Sequence, residues 1–292
     1  MGHHHHHQSS DSNLKFAFFV NLIFTVIEIV GGVLTNSVSI LSDALHDFGD
    51  SLSLGLAWYF QKVSTRGRDG KFSYGYKRFS LLGAIINGIV LLMGSIIILY
   101  EAIPRIFNPE VANAKGMILL AILGIVMNGA AAIRVKKGSS VNEQMVSVHL
   151  MEDVLGWVAV LIGAIVMYYF DLPIIDPILS LLIVAFVLYN VVRSMRKTLK
   201  IVLQGVPSEV VETEVQDYLL SLSEVDSVHD LHIWSLDGEY NVLTVHLVAN
   251  NIDREHFYPL KLKIRSHLNE MGIAHATIEF ERSDEACIHV EC

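Results

Sequence analysis

The sequence predicts an α-helical membrane protein, with six transmembrane helices followed by a C-terminal cytoplasmic α+β domain. Of the 292 residues, 52% are hydrophobic and only 17% are charged, whereas a soluble domain carries about 25% charged residues. Six long apolar segments lie before residue 193. From Pro207 onward the composition changes to 17 acidic and 5 basic residues, which is typical of a water-exposed domain. The net charge of −9 argues against a nucleic-acid partner, because such proteins carry a basic surface.

The six apolar segments are each long enough to cross a bilayer as a helix. A helix of this length spans about 30 Å of hydrocarbon and satisfies its own backbone hydrogen bonds, which lipid cannot do. The segments are Leu14–Leu34, Ile40–Phe60, Phe79–Ile103, Met117–Ile133, Val146–Phe170 and Ile174–Val192. We predict a six-helix transmembrane domain over residues 14–203 and a cytoplasmic domain over residues 204–292. Residues 1–13, with a histidine run from His3 to His7, are either an affinity tag or a natural histidine-rich tail.

The distribution of basic residues predicts the orientation in the membrane. Thirteen lysines and arginines lie in the second-to-third link, the fourth-to-fifth link and the exit of the sixth segment. The links on the opposite side hold only Arg105 and Lys115. Because lysine and arginine accumulate on the cytoplasmic side of a membrane, both termini and the acidic tail are predicted to be cytoplasmic.

The tail has the pattern of a small mixed α and β domain. Pro207-Ser208-Glu209 is a helix-start signal, and Asp237-Gly238 is a hairpin-turn signal. The further elements are strands over 225–236, 240–248 and 275–281 and a helix over 254–271. This αββαβ order suits a three-stranded sheet covered by helices on one face.

Two apolar segments carry ionisable side chains at matching spacing. His46 and Asp50 are four residues apart, as are His149 and Asp153, so each pair shares a helix face. Ionisable groups at such depth are costly and indicate function, although a structural polar network is the alternative. Two imidazoles and two carboxylates from facing helices form a tetrahedral set suited to zinc. Asp47 is turned about 100° from His46 on the helix and is expected either to support a ligand from behind or to face water.

The depth of the two pairs is matched only if the fifth helix begins early. His46 lies near the middle of its segment, whereas His149 lies near the start of its own. The fifth helix is therefore expected to begin near Val141 or to be tilted.

Several motifs, in order, resemble the cation diffusion facilitator family, and in particular its zinc-preferring branch. They are Asn21, Glu28 and Gly31-Gly32; residues 42–50 (SDALHDFGD); residues 72–78 (FSYGYKR); His149-x-x-x-Asp153; Asp176-Pro177; and residues 228–234 (VHDLHIW). The resemblance covers residues 14 to about 282. It implies a homodimeric secondary transporter in a cell membrane, which in a bacterium would be the inner membrane. Such a protein exports Zn²⁺, with Cd²⁺ or Co²⁺ as possible further substrates, in exchange for H⁺ by alternating access. The tail would be ferredoxin-like, and His46, Asp50, His149 and Asp153 would form the transport site.

The resemblance also implies zinc sites in the tail, where Zn²⁺ would act as a regulatory ligand. His229, His246 and Glu281 match one site, and His275, Cys287 and Cys292 match a second. The alternatives are surface histidines and free thiols at the chain end.

The sequence departs from the family pattern at two places. Residues 65–76 hold Asp69 but no histidine, so the loop metal site of some relatives is expected to be absent. Lys77 resembles a residue that pairs with a carboxylate beyond the sixth helix, yet residues 203–205 offer no acid.

Two rival functions are weighed against transport. An enzyme is disfavoured, because a site with four protein ligands leaves no position for water. A membrane zinc sensor that binds without transporting would use the same ligands.

Overall fold

The computed structural model describes residues 5–136, 141–249 and 254–283. The chain forms two compact units. One holds the described residues up to Tyr59 together with Gly83–Ser194, and the other holds Phe60–Leu82 together with the described residues from Met195 onward.

Six long helices lie in the first part of the chain: α1 His5–Thr35, α2 Val38–Ser64, α3 Phe79–Phe107, α4 Ala114–Lys136, α5 Val141–Phe170 and α6 Ile175–Val202. At about 1.5 Å per residue, even the shortest, α4 with 23 residues, exceeds the hydrocarbon thickness. Five of the six are long and apolar enough to cross a membrane by length and composition. The exception, α2, is equally long, but Asp43, Asp47 and Asp50 lower its mean hydropathy. These helices confirm the predicted helical membrane domain.

The interior of the helical unit combines small, aliphatic and aromatic side chains. Trp157 of α5 and Phe24 of α1 are fully buried, and their rings meet edge to face at 5.5 Å. Gly124 of α4 lies directly against the Trp157 indole, which lets α4 and α5 approach closely. The outward faces carry exposed large apolar residues such as Ile97 and Tyr169. So much exposed apolar surface is not tolerated in water but suits a lipid environment.

The fifth helix begins early enough to place His149 at the same depth in the membrane as His46. Its first residue is Val141, which confirms the early start. His149 therefore lies more than two turns inside the helix rather than at its edge.

The second unit contains a three-stranded sheet in the order β1-β2-β3, from β1 Ser227–Ser235, β2 Asn241–Val248 and β3 Ile273–Glu281. Strands β1 and β2 are antiparallel, whereas β2 and β3 are parallel. A parallel pair needs a crossover, which helix α8 Arg254–Glu270 provides. With helix α7 Glu212–Leu220, the αββαβ order is confirmed.

The details of the tail follow from local chemistry. Gly238 has φ +100° in the β1–β2 turn, and the Asp237 carboxylate accepts the backbone N–H groups of Glu239 and Tyr240. The core packs Leu243 and Leu247 of β2 against Leu219 and Ile264 of the helices. Helix α7 begins at Glu212, three residues later than the signal at Glu209 predicts. The residue before it, Val211, is extended and gives no side-chain cap, so the acids of the first turn mark the start instead.

Candidate metal centre

The structure brings the two intramembrane pairs together. In the helical unit, the Nε2 atom of His149 lies 2.8 Å from Oδ2 of Asp50, and the Nε2 atom of His46 lies 3.7 Å from the same oxygen. Ligand atoms of these three residues all lie within 4.8 Å of one another. Each pair lies on one face of its helix because its members are four residues apart.

Asp153 completes the group from α5. Its two carboxylate oxygens lie 3.9 Å from Nε2 of His46 and 3.9 Å from Nε2 of His149. In a tetrahedral zinc site with bonds of about 2.0 Å, neighbouring ligand atoms are about 3.3 Å apart. The observed separations of 2.8 to 3.9 Å bracket that value. Asp153 lies outside the compact group of three, so a small inward shift of its carboxylate is needed for four-coordinate binding.

A cavity of about 690 Å³ adjoins these side chains. Its walls come from α2, α3, α5 and α6, and along α6 it extends from Leu179 to Ser194. That stretch of helix is about 22 Å long and leads to the end where α6 carries Arg193 and Arg196. Within the centre, Asp153 is almost fully buried, whereas the His149 side chain is 38% exposed. The four candidate ligands are thus reached from one end of the helical unit.

Three further acids lie beside the candidate ligands. Glu28 is fully buried and Asp47 is 1% exposed, so Asp47 does not face water. Asn21 of α1 donates to the backbone oxygen of Asp47 at 3.2 Å, which fixes α1 against α2. Asp43 lines the cavity close to Gly156 of α5. Buried carboxyl groups are costly in apolar surroundings, so three such groups beside the candidate ligands indicate a functional region.

Asp176 has a structural role that could not be predicted from the sequence. Its carboxylate accepts hydrogen bonds from the hydroxyls of Ser37 and Ser39, both at 2.6 Å. It also accepts the backbone N–H of Val38 at 2.7 Å. Asp176 on α6 therefore caps the first residues of α2, the helix that carries His46 and Asp50. The sequence offered only the Asp176-Pro177 match, because nothing local points to a partner 139 residues away.

The tail brings a second group together. His229 and His246 face each other across β1 and β2, with ring centroids 5.2 Å apart. Glu281 contacts both, at 3.1 Å from Nε2 of His229 and 2.6 Å from Nδ1 of His246. Ligand atoms of all three lie within 4.8 Å of one another. A β-bulge interrupts the pairing after His229, and Asp230 there has φ +49° and lies 3.6 Å from His246.

The second predicted site in the tail is not assembled by the described residues. His275 lies at the opposite end of β3 from Glu281, about 20 Å along the strand. Its ring instead meets Tyr74 edge to face at 5.9 Å. Cys287 and Cys292 lie outside the described residues, so this site stays a prediction.

The loop before α3, which holds Asp69, is organised by its own hydrogen bonds. The Asp69 carboxylate accepts the Tyr76 hydroxyl at 2.7 Å and the backbone N–H groups of Lys71 and Phe72 at 2.8 and 2.9 Å. The Tyr76 hydroxyl, followed by the two amides, holds the pKa of Asp69 below its ordinary value. Lys77 lies 3.9 Å from Asp237, so a carboxylate of the β1–β2 turn, which sequence reasoning did not name, is its partner.

The comparison with protein families matches both parts of the chain. Residues 14–203 match the model of the cation efflux transmembrane domain, and residues 207–291 match the model of the cation efflux protein cytoplasmic domain. The chain belongs to the cation efflux family, also called the cation diffusion facilitators. The group on α2 and α5 lies in the part of the chain that matches the transmembrane domain, and the group on β1, β2 and β3 lies in the part that matches the cytoplasmic domain.

Relatives in this family are similar over most of their length. The metal cation efflux system protein CzcD of Cupriavidus metallidurans is 34% identical over 286 residues, which cover 96% of this chain and 90% of the relative. A Bacillus subtilis protein named as a cadmium, cobalt and zinc/H⁺-K⁺ antiporter is 31% identical over 286 residues, covering 96% and 92%. The zinc transporter ZitB of Escherichia coli is 30% identical over 284 residues, covering 95% and 90%.

Proposed function

We propose that this protein is a secondary transporter that exports Zn²⁺ from the cytoplasm in exchange for H⁺ by alternating access. The observation that supports the proposal best is the convergence of two imidazoles and two carboxylates, from α2 and α5, within the helical unit. Ion-binding groups at this depth mark transport pathways. The names of the relatives, which include zinc transporters and a cadmium, cobalt and zinc antiporter, agree with this function.

The choice of metal follows from the ligands. Imidazole nitrogen with carboxylate oxygen suits Zn²⁺, whereas Mg²⁺ and Ca²⁺ take six or more oxygens. Cd²⁺ and Co²⁺ are proposed as further substrates, in agreement with the name of the Bacillus subtilis relative. The same four ligands, His46, Asp50, His149 and Asp153, leave no position for an activated water, so we propose transport rather than catalysis.

Exchange with protons is proposed from the chemistry of the ligands. A metal binds only deprotonated ligands, so its binding releases protons. An ordinary imidazole titrates near pH 6.5, within the range that a proton gradient covers. Protons that reach the same side chains from the outside would therefore help to release zinc and would return to the cytoplasm.

The orientation and assembly are also proposed. With the basic links on the inner side, both termini and the tail are cytoplasmic, and the cavity extends toward the cytoplasm as required for zinc uptake. The bacterial relatives favour an inner membrane. The protein is proposed to act as a homodimer, in which zinc held by His229, His246 and Glu281 in each tail regulates transport.

A flux measurement separates the transporter from the alternative, a membrane zinc sensor. Proteoliposomes that contain the purified protein should accumulate Zn²⁺ when a pH gradient is imposed. The rate of accumulation should fall when the gradient is collapsed. A His46→Ala/His149→Ala variant should lose this flux. A sensor would bind zinc without flux, and a passive channel would show flux that ignores the gradient. Either result would overturn the proposal.

A further inference from the structure

A basic cavity lies in the second unit, where the chain is about to enter α3. It has a volume of about 420 Å³, and Lys71, Lys77 and Arg78 line it. No acidic residue belongs to the lining. Its remaining lining includes Tyr74 and Trp234, so three cations and two of the aromatic residues share the same cavity. This cavity is separate from the candidate metal centres described above.

Within the described part of the chain, two of the three cations have no ion-pair partner. Lys77 lies 3.9 Å from Asp237 and 4.4 Å from the centre of the Tyr240 ring. For Lys71 and Arg78, by contrast, no ion pair is found among the residues that the structure describes. The nearby Asp69 carboxylate is already engaged by one hydroxyl and two backbone amides. An anion entering the cavity would therefore meet charges that the protein has not neutralised.

The loop that presents these cations is held in place by its own hydrogen bonds. Gly75 has φ +74°, a conformation that favours glycine, and a Cβ atom there would lie 2.9 Å from the backbone oxygen of Arg66. The backbone N–H of Tyr76 donates to that same oxygen at 3.3 Å. The cations are thus positioned before a ligand arrives, which lowers the entropic cost of binding.

The position along the chain indicates where the anion comes from. Arg78 immediately precedes Phe79, the first residue of the apolar span of α3. Residues at the start of a membrane span lie at the level of the lipid headgroups. Basic pockets at this level bind anionic headgroups, and lysine and arginine both bind phosphate.

We propose that the cavity lined by Lys71, Lys77 and Arg78 binds a phosphate group, supplied in the membrane by the headgroup of an anionic phospholipid. Each basic residue contributes about a fivefold gain in affinity for an anionic lipid surface. Lys71→Gln/Arg78→Gln should therefore weaken binding about 30-fold. The matched control is Arg66→Gln/Arg68→Gln, which removes the same charge from the same loop but no residue that lines the cavity. We expect the control to lose less than about fivefold.

The test titrates the full-length protein in a neutral detergent with the short-chain lipid dihexanoyl phosphatidylglycerol, and separately with dihexanoyl phosphatidylcholine and inorganic phosphate at matched ionic strength. Tighter binding of phosphatidylglycerol than of phosphatidylcholine, lost in the cavity variant but kept in the control, supports the proposal and identifies the lipid as the source. Binding of inorganic phosphate with the same dependence on the two variants supports the phosphate site with a soluble source.

Equal loss in the two variants would overturn the proposal, because it would show a general attraction of the basic loop. Equal affinity for the two lipids without binding of inorganic phosphate would also overturn it, as would binding of neither phosphatidylglycerol nor inorganic phosphate. The charge-preserving variant Lys71→Arg/Arg78→Lys should restore most of the affinity, which separates a binding defect from a folding defect. The measurement uses neither zinc nor flux, so its outcome is independent of the proposed transport.

Discussion

Replacement of Asp50 by asparagine is the sharpest test of the proposed transport site. The Oδ2 atom of Asp50 is 2.8 Å from His149 and 3.7 Å from His46, so this carboxylate joins the two histidines. A four-ligand zinc site binds with about 10–16 kcal/mol, or roughly 3 kcal/mol per ligand. Asparagine keeps one neutral oxygen, so we expect a loss of about 2–3 kcal/mol. This corresponds to a rise of roughly 30- to 150-fold in the zinc concentration that half-saturates transport.

The assay is the initial rate of zinc uptake in proteoliposomes as a function of zinc concentration, at a fixed pH gradient. Glu152→Gln is the matched control, because it removes one carboxylate that lines the same cavity without removing a proposed ligand. The control should change the half-saturating concentration less than about threefold. Thermal unfolding of each variant in detergent checks that the fold is retained. A shift below threefold in Asp50→Asn, or an equal shift in Glu152→Gln, would refute the assignment.

Two further predictions concern packing and the loop before α3. Gly124→Ala should lower the free energy of unfolding by about 1–3 kcal/mol, because the new methyl group would overlap the buried indole of Trp157. The measurement is the midpoint of thermal unfolding. The control Gly129→Ala, whose new methyl group would have no neighbouring atom nearer than 4.0 Å, should show no such loss. Tyr76→Phe should raise the pKa of Asp69 toward its ordinary value, measured by carboxyl ¹³C NMR, because it removes the largest cause of the lowered pKa. A lowered pKa stabilises the fold above the unfolded-state pKa, and this stabilisation is lost as the pH falls through the folded-state value. The wild-type loop should therefore stay ordered to lower pH than the variant, and equal acid sensitivity would contradict the prediction.

The candidate metal centre could be predicted because its information is local. A spacing of four residues on one helix fixes which side chains share a face, and the cost of charge in lipid indicates function. Asp43, Asp47 and Asp50 explain why α2 is the one helix among the described six that falls short of the apolar composition of a span. Only Asp50 of these three is a proposed ligand, so α2 was found by its length and pattern rather than by its mean hydropathy.

The features that could not be predicted depend on contacts between distant residues. Neither the cap that Asp176 gives to α2 nor the partner of Lys77 has a local signature. The boundary of α7 was wrong by three residues because the helix begins after Val211, which gives no side-chain cap, and not at the Pro207-Ser208-Glu209 signal. In the tail, the pairing of His229 with His246 followed from adjacent strands, whereas the bulge that brings Asp230 close to His246 had no signal in the sequence.

The contacts between α2 and α6 constrain how alternating access could operate. At one end of these helices, Asp176 accepts hydrogen bonds from Ser37, Val38 and Ser39, and the hydroxyls of Ser42 and Ser180 meet at 2.6 Å. Toward the other end, the cavity separates the same two helices. The proposed exchange needs an outward-open state, and zinc at His46 and Asp50 could leave past Asp43 only if these buried hydrogen bonds lengthened or broke. A hydrogen bond to a charged carboxylate contributes about 1.5–3 kcal/mol, and one between neutral hydroxyls about 1 kcal/mol. The binding of zinc and protons must therefore favour one state over the other by several kcal/mol to drive the change.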